Sequence, residues 1–302
     1  MSKEQNFVSA VVYLDSKSHN PEKFIGGLVS CLDEHFLHYE VIAVNNGASE
    51  DTRRKLQGIK SESGASMQMS IINMSLRQSR EQCMNAGLDL SAGDYVYEFD
   101  SDEGGYDFAL VWNAYQEAMK GNDIVAVCPT QENALSRIFY GIFNAYSNSA
   151  YKLRTNAFTL ISRRALNRAH DLHANLAYRK AVYASIGLKM SVIEFPGSIT
   201  NRETNKLTLA ADSLTLYTDF GYKFSLNFAL AMMIITLAEM IYTVCVWIGG
   251  SPVSGWTTTM FVLTLGLAGI FAAFALTLKY LTLIIKLYSN KHDYLIEEIS
   301  KV

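Results

Sequence analysis

The chain has 302 residues, a net charge of −3 and 49% hydrophobic residues, a size for one large domain or two small ones and no bulk positive charge for holding nucleic acid. Its four cysteines, Cys31, Cys83, Cys128 and Cys245, are scattered without a C-x-x-C, which fits a reducing compartment and argues against a disulfide framework or a zinc site. The apolar residues are unevenly spread: 1–205 reads as a mixed soluble domain, whereas Glu239 is the single charged residue from Ser225 to Leu278.

Taken in order, Phe7–Leu14 is an apolar run of strand length, and Pro21 then opens a helix with Phe24, Leu28 and Leu32 on one face. Tyr39–Val44 reads as a second strand, ending in NNGASEDT (Asn45–Thr52), and Met67–Met74 as a third. Arg80–Leu90 is helix-like, Tyr95–Phe99 is a strand, Phe108–Met119 a helix and Asp123–Cys128 a further strand. Strands alternating with helices predict right-handed β-α-β units and a mainly parallel sheet. Ligands of such sheets sit at the carboxyl ends of strands, which places Asn45–Asn46 and Asp100–Asp102 on one rim.

The strand Tyr95–Phe99 runs into Asp100, Asp102 and Glu103 and then the pair Gly104–Gly105. Two carboxylates one residue apart in a loop can both reach a hard divalent cation, with positions left for phosphate oxygens. Asp100 and Asp102 are therefore the candidate metal ligands and catalytic acids, with Mg²⁺ or Mn²⁺ as the expected cofactor.

Towards the carboxyl end, Ser225–Ile248 and Trp256–Leu278 are each long enough to cross a hydrocarbon core, joined by the uncharged turn GGSPVSGW. Lys223 precedes the first span, and Lys279, Lys286 and Lys291 follow the second, so the charge rule places both termini in the cytoplasm. Leu207–Phe224 reads as an amphipathic segment on the membrane surface, and Phe139, Phe143 and Tyr146 as the apolar stripe of a second surface helix. Glu239 inside the first span is expected to face protein, which favours a homo-oligomer through the spans.

The order NNGASEDT, then NAGLDLSAGDYVYEFDSDEG, resembles family 2 glycosyltransferases of the GT-A fold, whose pattern is roughly D-D-G-S-x-D-x-T followed by A-G-L-x-x-A-x-G-D-Y-V-x-x-x-D-x-D. The later segment SRIFYGIFNAYSNSAYKLRTNAFTLISRRAL and the apolar tail are similar to the dolichyl-phosphate-mannose-synthase-like members, including bacterial undecaprenyl-phosphate glycosyltransferases. This chain departs from the pattern at three places: Asn45 and Asn46 stand for the paired acids that contact base and ribose, the proline and tyrosine expected after the first strand are replaced around Tyr13–Asp15, and RTNAFTL stands for D-x-G-x-F-R-L, with Thr159 in place of the arginine.

The resemblance implies an inverting, metal-dependent transfer of a sugar from a nucleotide-sugar, UDP-linked by preference, to a polyprenyl phosphate. Asn45, Asn46, Asp100 and Arg80 are the expected nucleotide contacts. Arg154, Arg163, Arg164, Arg179, Arg202 and Lys206 are candidates for the acceptor phosphate. The expected architecture is an α/β GT-A domain over 1–206, a mainly parallel sheet flanked by helices. A juxtamembrane segment over 207–224, a two-helix transmembrane hairpin over 225–288 and a cytoplasmic tail over 289–302 complete it. The protein would sit in the cytoplasmic membrane, its catalytic domain facing the cytosol. A homologue without catalysis, serving as a membrane-bound binding or scaffold subunit, stays open as the alternative.

Overall fold

The structure is a computed structural model describing residues 3–48 apart from 17 and 19, 67–146 apart from 104, 151–172, 178–199, 294–301, and separate helical positions between 227 and 284. The chain divides into two units, one comprising 1–144, 148–204 and 290–302, the other 145–147 and 205–289.

The first unit is built on an eight-stranded sheet. Its strands are β1 (Val8–Asp15), β2 (Tyr39–Asn46), β3 (Met67–Met74), β4 (Tyr95–Phe99), β5 (Ile124–Gln131), β6 (Phe158–Ser162), β7 (Met190–Ser198) and β8 (Ile296–Lys301). They lie in the order β7-β5-β6-β4-β1-β2-β3-β8. The pairs β1–β2, β1–β4, β2–β3 and β5–β7 are parallel, while β6 runs antiparallel between β4 and β5, and β8 antiparallel along β3. The helices are α1 (Pro21–His35), α2 (Arg80–Leu90), α3 (Ala109–Met119), α4 (Ala134–Tyr146), α5 (Arg163–Leu172) and α6 (Arg179–Ser185). The α/β, mainly parallel architecture expected from the alternation is the one observed.

Strands β1, β2 and β4 are near-continuous apolar runs because both faces of the sheet are covered. On one face α1 and α3 bury Phe24, Leu28, Val111 and Tyr115 against Val12, Val41 and Tyr97 in the main core. On the other, α2 approaches so closely that a Cβ on Gly87 would lie 2.4 Å from Val11 Cγ1 and 2.9 Å from Val44 Cγ2. A capping box, Ser79 with Gln82, sets where α2 begins.

The residues expected to trail off as a tail include β8, which borders the sheet. Leu295 joins Gln78 in both directions (3.0 and 2.8 Å), and Tyr294 donates to Asp89 at 2.5 Å. Sequence periodicity missed β8 because it is short and charged, as edge strands commonly are.

In the second unit the described positions are helical, and Gly266 and Gly269 face Met232 and Phe228 closely. Among the described residues no helix is long and apolar enough to cross a membrane. The expected spans, Leu207–Phe224 and Glu239 lie largely or wholly outside the described residues.

Candidate active site

Six segments meet at the carboxyl-end rim: the end of β1 with its loop, the start of α2, the turn after β4, the residues leading into β6, the start of α6, and the end of β7. They line one pocket that includes Tyr13, Asp15 and Ser18, then Arg80, Asp100 to Glu103, Thr155 to Ala157, Lys180 and Ile199. The parallel order puts the β1 and β4 ends here, and the reversed β6 delivers its amino end to the same rim.

Asp100 and Asp102 differ sharply. Arg179 Nη2 donates to Asp100 Oδ1 at 2.6 Å, and Lys180 Nζ lies 2.9 Å from Oδ2. Burial alone would push the Asp100 carboxyl up, but Lys180, Arg179 and Arg80 overcome it and hold it well below the usual carboxylate range. Burial raises the Asp102 carboxyl, Glu103 and Asp15 add to that, and a 3.1 Å hydrogen bond from Ser18 opposes it.

Arg179 is the hub beneath the pocket. It is fully buried and bonds three carboxylates: Glu81 through Nε (2.9 Å), Glu98 through Nη1 (2.6 Å) and Asp100. Tyr183 donates to the other oxygen of Glu98 at 2.6 Å. Burial raises the Glu98 carboxyl to about 7 against the pull of Arg179 and Tyr183. Lys180, although burial would lower its pKa, is raised by Asp100 and stays charged at the pocket wall.

Several expected site residues are placed otherwise, which corrects the sequence reading. Arg179 cannot meet an acceptor phosphate, because no part of it reaches solvent and its guanidinium is committed to carboxylates. Arg163 and Arg164 follow the carboxyl end of β6 and so lie at the opposite rim. There Arg163 bonds the carbonyls of Gly93 and Ser91, and Arg164 holds Asp123 (3.0 and 2.5 Å). Arg154 pairs with Glu194 and lies 3.9 Å from Glu132. Arg202 and Lys206 lie outside the described residues.

Asn46 is buried, its amide bonded to Tyr13 Oη (3.0 Å) and to both the carbonyl and N–H of Gln78 (2.8 and 2.9 Å). Asn45 bonds Asn73 at 2.9 Å and accepts from the Ala48 N–H at 2.8 Å. Neither asparagine lines the pocket; Asn46 buttresses Tyr13, over whose ring Arg80 lies at 5.6 Å. Arg80 does line the pocket. Lys180 is the functional candidate that the sequence did not single out. Its signal was adjacency to Arg179, but which of two neighbouring cations turns outward depends on how α6 seats.

The description "Glycosyl transferase family 2" matches residues 17–187, more than half of the chain. The chain belongs to glycosyl transferase family 2. It is 22% identical over 195 residues to the uncharacterized glycosyltransferase sll0501 of Synechocystis sp. (strain ATCC 27184 / PCC 6803 / Kazusa), covering 62% of this chain and 60% of that protein. It is also 22% identical over 223 residues to CsbB of Bacillus subtilis (strain 168), named as a glycosyltransferase, covering 69% of this chain and 64% of that one. The chain thus spans somewhat under two thirds of the length of these curated relatives.

Among solved structures, glucosyl-3-phosphoglycerate synthase from Mycobacterium tuberculosis, in complex with phosphoglyceric acid, matches with a TM-score of 0.50 at 12% identity, over 70% of this chain and 78% of that one. The mannosyltransferase PcManGT from Pyrobaculum calidifontis, in complex with GDP-Man and Mn²⁺, matches with a TM-score of 0.50 at 14% identity, over 95% and 88%. These likenesses show a shared GT-A-like fold.

The divalent ion implied by the fold family fits this pocket at Asp102 and not at Asp100. Both Asp100 oxygens already hold cations, whereas the ionisation of Asp102 is opposed by burial and by the acids beside it, a balance that a cation would reverse. Among the described residues no group of three or more His, Cys, Asp or Glu is placed to hold a metal by itself. Binding through one carboxylate with substrate phosphates completing the shell is the usual habit of Mg²⁺.

Proposed function

We propose that the protein is a membrane-anchored inverting glycosyltransferase that moves a sugar from a nucleotide-sugar, by preference UDP-linked, to a polyprenyl phosphate. The donor half of this reading is supported by family membership and by the pocket chemistry: an available acid at Asp102 beside the cations Lys180 and Arg80. The observation that carries the acceptor half is the second unit. It leaves and re-enters the first unit's chain, and its described helical positions expose large apolar side chains, among them Ile234, Leu263, Leu267, Ile270, Phe274 and Ile284. Exposed apolar surface on this scale marks a membrane or protein contact. An excursion that starts and ends on one unit suits a two-helix hairpin with both chain ends cytoplasmic, and a homo-oligomer through its helices.

Mg²⁺ or Mn²⁺, held by Asp102, would supply neutralisation of the charge that grows on the departing diphosphate. Lys180 and Arg80 contribute fixed positive charge to the same pocket, where such preorganised charge acts most strongly. Asp100 is a positioning residue: it fixes Lys180 against the wall. The acceptor phosphate, with a second ionisation at about 6, is largely dianionic at neutral pH and attacks the anomeric carbon without a protein base.

The test is purified full-length protein with Mg²⁺ or Mn²⁺, undecaprenyl phosphate and a panel of UDP- and GDP-sugars, with mass spectrometry of the lipid fraction. One sugar joined through a phosphodiester, with inverted anomeric configuration, is expected. Nucleotide binding with no glycolipid from any donor would sink the acceptor assignment and favour a homologue that has lost catalysis.

A further inference from the structure

The segment that leads into β6 is tied down along its length. Asn144 bonds Leu153 in both directions (2.8 and 2.9 Å), the Thr155 N–H donates to Glu132 at 3.0 Å, and the Ala157 N–H donates to the Val127 carbonyl at 2.7 Å. Side chains carried on so fixed a loop have little freedom to seek partners. Yet Thr155 Oγ1 and Asn156 Oδ1 are both buried without a hydrogen-bond partner among the described residues. Thr155 is only 7% exposed, and the amide of Asn156 is oriented by its Nδ2 donating to Thr159 Oγ1 at 2.6 Å. Buried side-chain polar atoms are nearly always paired in folded proteins, with protein, water or ligand. Both residues line the pocket that holds Asp102 and Lys180.

We propose that Thr155 and Asn156 form a subsite that holds the transferred sugar by neutral hydroxyl groups, an assignment that rests on the glycosyltransferase reading of this pocket. An amide oxygen accepts and cannot donate, while a threonine hydroxyl does both, so the pair matches a group that can present an O–H and receive one. A sugar hydroxyl does this. The subsite therefore reads a hydroxyl of the transferred sugar and not the nucleotide.

The test compares dissociation constants of UDP and UDP-glucose, and of GDP and GDP-mannose, with the purified full chain in the presence of Mn²⁺. In the wild type the sugar should tighten binding relative to its own nucleotide. Thr155→Val and Asn156→Ala should each remove roughly ten-fold of the sugar-dependent gain and leave UDP or GDP unchanged, because a site built to bond a hydroxyl suffers when one partner is missing. Thr155→Ser, which restores the hydroxyl, should bind as the wild type and guards against a folding defect. Sugar-to-nucleotide ratios unchanged in both variants overturn the subsite while the glycosyltransferase reading stands, leaving these atoms to ordered water. Failure of the wild type to bind any nucleotide overturns both.

Discussion

At the amino-end rim of the sheet, Glu40 accepts from Ser9 (2.5 Å) and the Ala92 N–H (2.7 Å), Arg163 ties the Ser91–Gly93 turn, and Arg164 holds Asp123. At the carboxyl-end rim, Arg179 gathers Glu81, Glu98 and Asp100, but the network does not close on itself. Its outer members, Asp100 and Lys180, stand at a pocket with Asp102, Glu103 and Arg80. Charge at the first rim ends in backbone turns and a surface pair and serves the fold; charge at the second is handed outward to where a diphosphate would lie. The residue types are the same, so the difference lies in which strand ends the topology brings together.

The contrast breaks most decisively at Arg179. Arg179→Met leaves buried Glu81 and Glu98 without their cation and Asp100 with Lys180 alone, and removing one partner of a buried ionic network costs about 3–5 kcal/mol. The expected outcome is a large drop in the thermal unfolding midpoint of the purified chain, which Arg179→Lys should not restore because a point charge cannot serve three partners. An unfolding midpoint like the wild type would show that the hub is not structural.

Asp102 and Asp100 should then separate by readout. Asp102→Asn is expected to cut turnover by about 10²–10³-fold and leave the unfolding midpoint in place, since Asp102 supports no buried cation. Asp100→Asn should lose both activity and stability, because it unbalances Arg179 and Lys180. Equal melting of the two variants would remove the distinction drawn here between a ligand-facing and a positioning acid.

How much of this was legible in the sequence follows from the same contrast. The strand–helix alternation and the acidic turn after β4 are local patterns, and β3, β4 and α2 fall on the residues that periodicity assigned. The common rim of β1 and β4 followed from the parallel rule. Roles that depend on long-range packing did not: Asn46 reads like a base contact until its amide is seen spent on Tyr13 and Gln78. Arg163 and Arg164 read like acceptor cations because sequence order does not reveal that β6 runs backwards and carries them to the far rim. The unsatisfied Thr155 and Asn156 have no sequence signal, because satisfaction is a property of the surrounding structure.

The network also predicts a pH dependence. Glu98 is raised in the fold from 4.5 to about 7, so between these values the folded state holds a proton that the unfolded chain has released. Stability should therefore fall as pH rises from about 4.5 to 7, by at most about 3 kcal/mol, and flatten above. Asp100, depressed in the fold, acts oppositely: its contribution is present above its ordinary value of 3.8 and is lost as pH falls below it. Glu98→Gln should abolish the decline between pH 4.5 and 7 and keep the acid limb. Unfolding midpoints across pH for the two proteins check this, and parallel profiles would remove Glu98 as its source.

The smallest effect is expected at the other rim, and it sharpens the comparison by being of a different kind. Arg163 donates to two backbone carbonyls and to Ser91 Oγ, and it sits across the sheet from the pocket. Arg163→Ala leaves the carbonyls of a half-buried turn without their donor, which costs about 1–3 kcal/mol. Acceptor and donor KM should not change, because no atom of Arg163 approaches the pocket residues. In steady-state assays with undecaprenyl phosphate, the variant should therefore show wild-type constants together with a lowered unfolding midpoint. A raised acceptor KM at unchanged stability would return Arg163 to the phosphate site that the sequence suggested and would mean that the amino-end rim, not only the carboxyl-end rim, meets substrate.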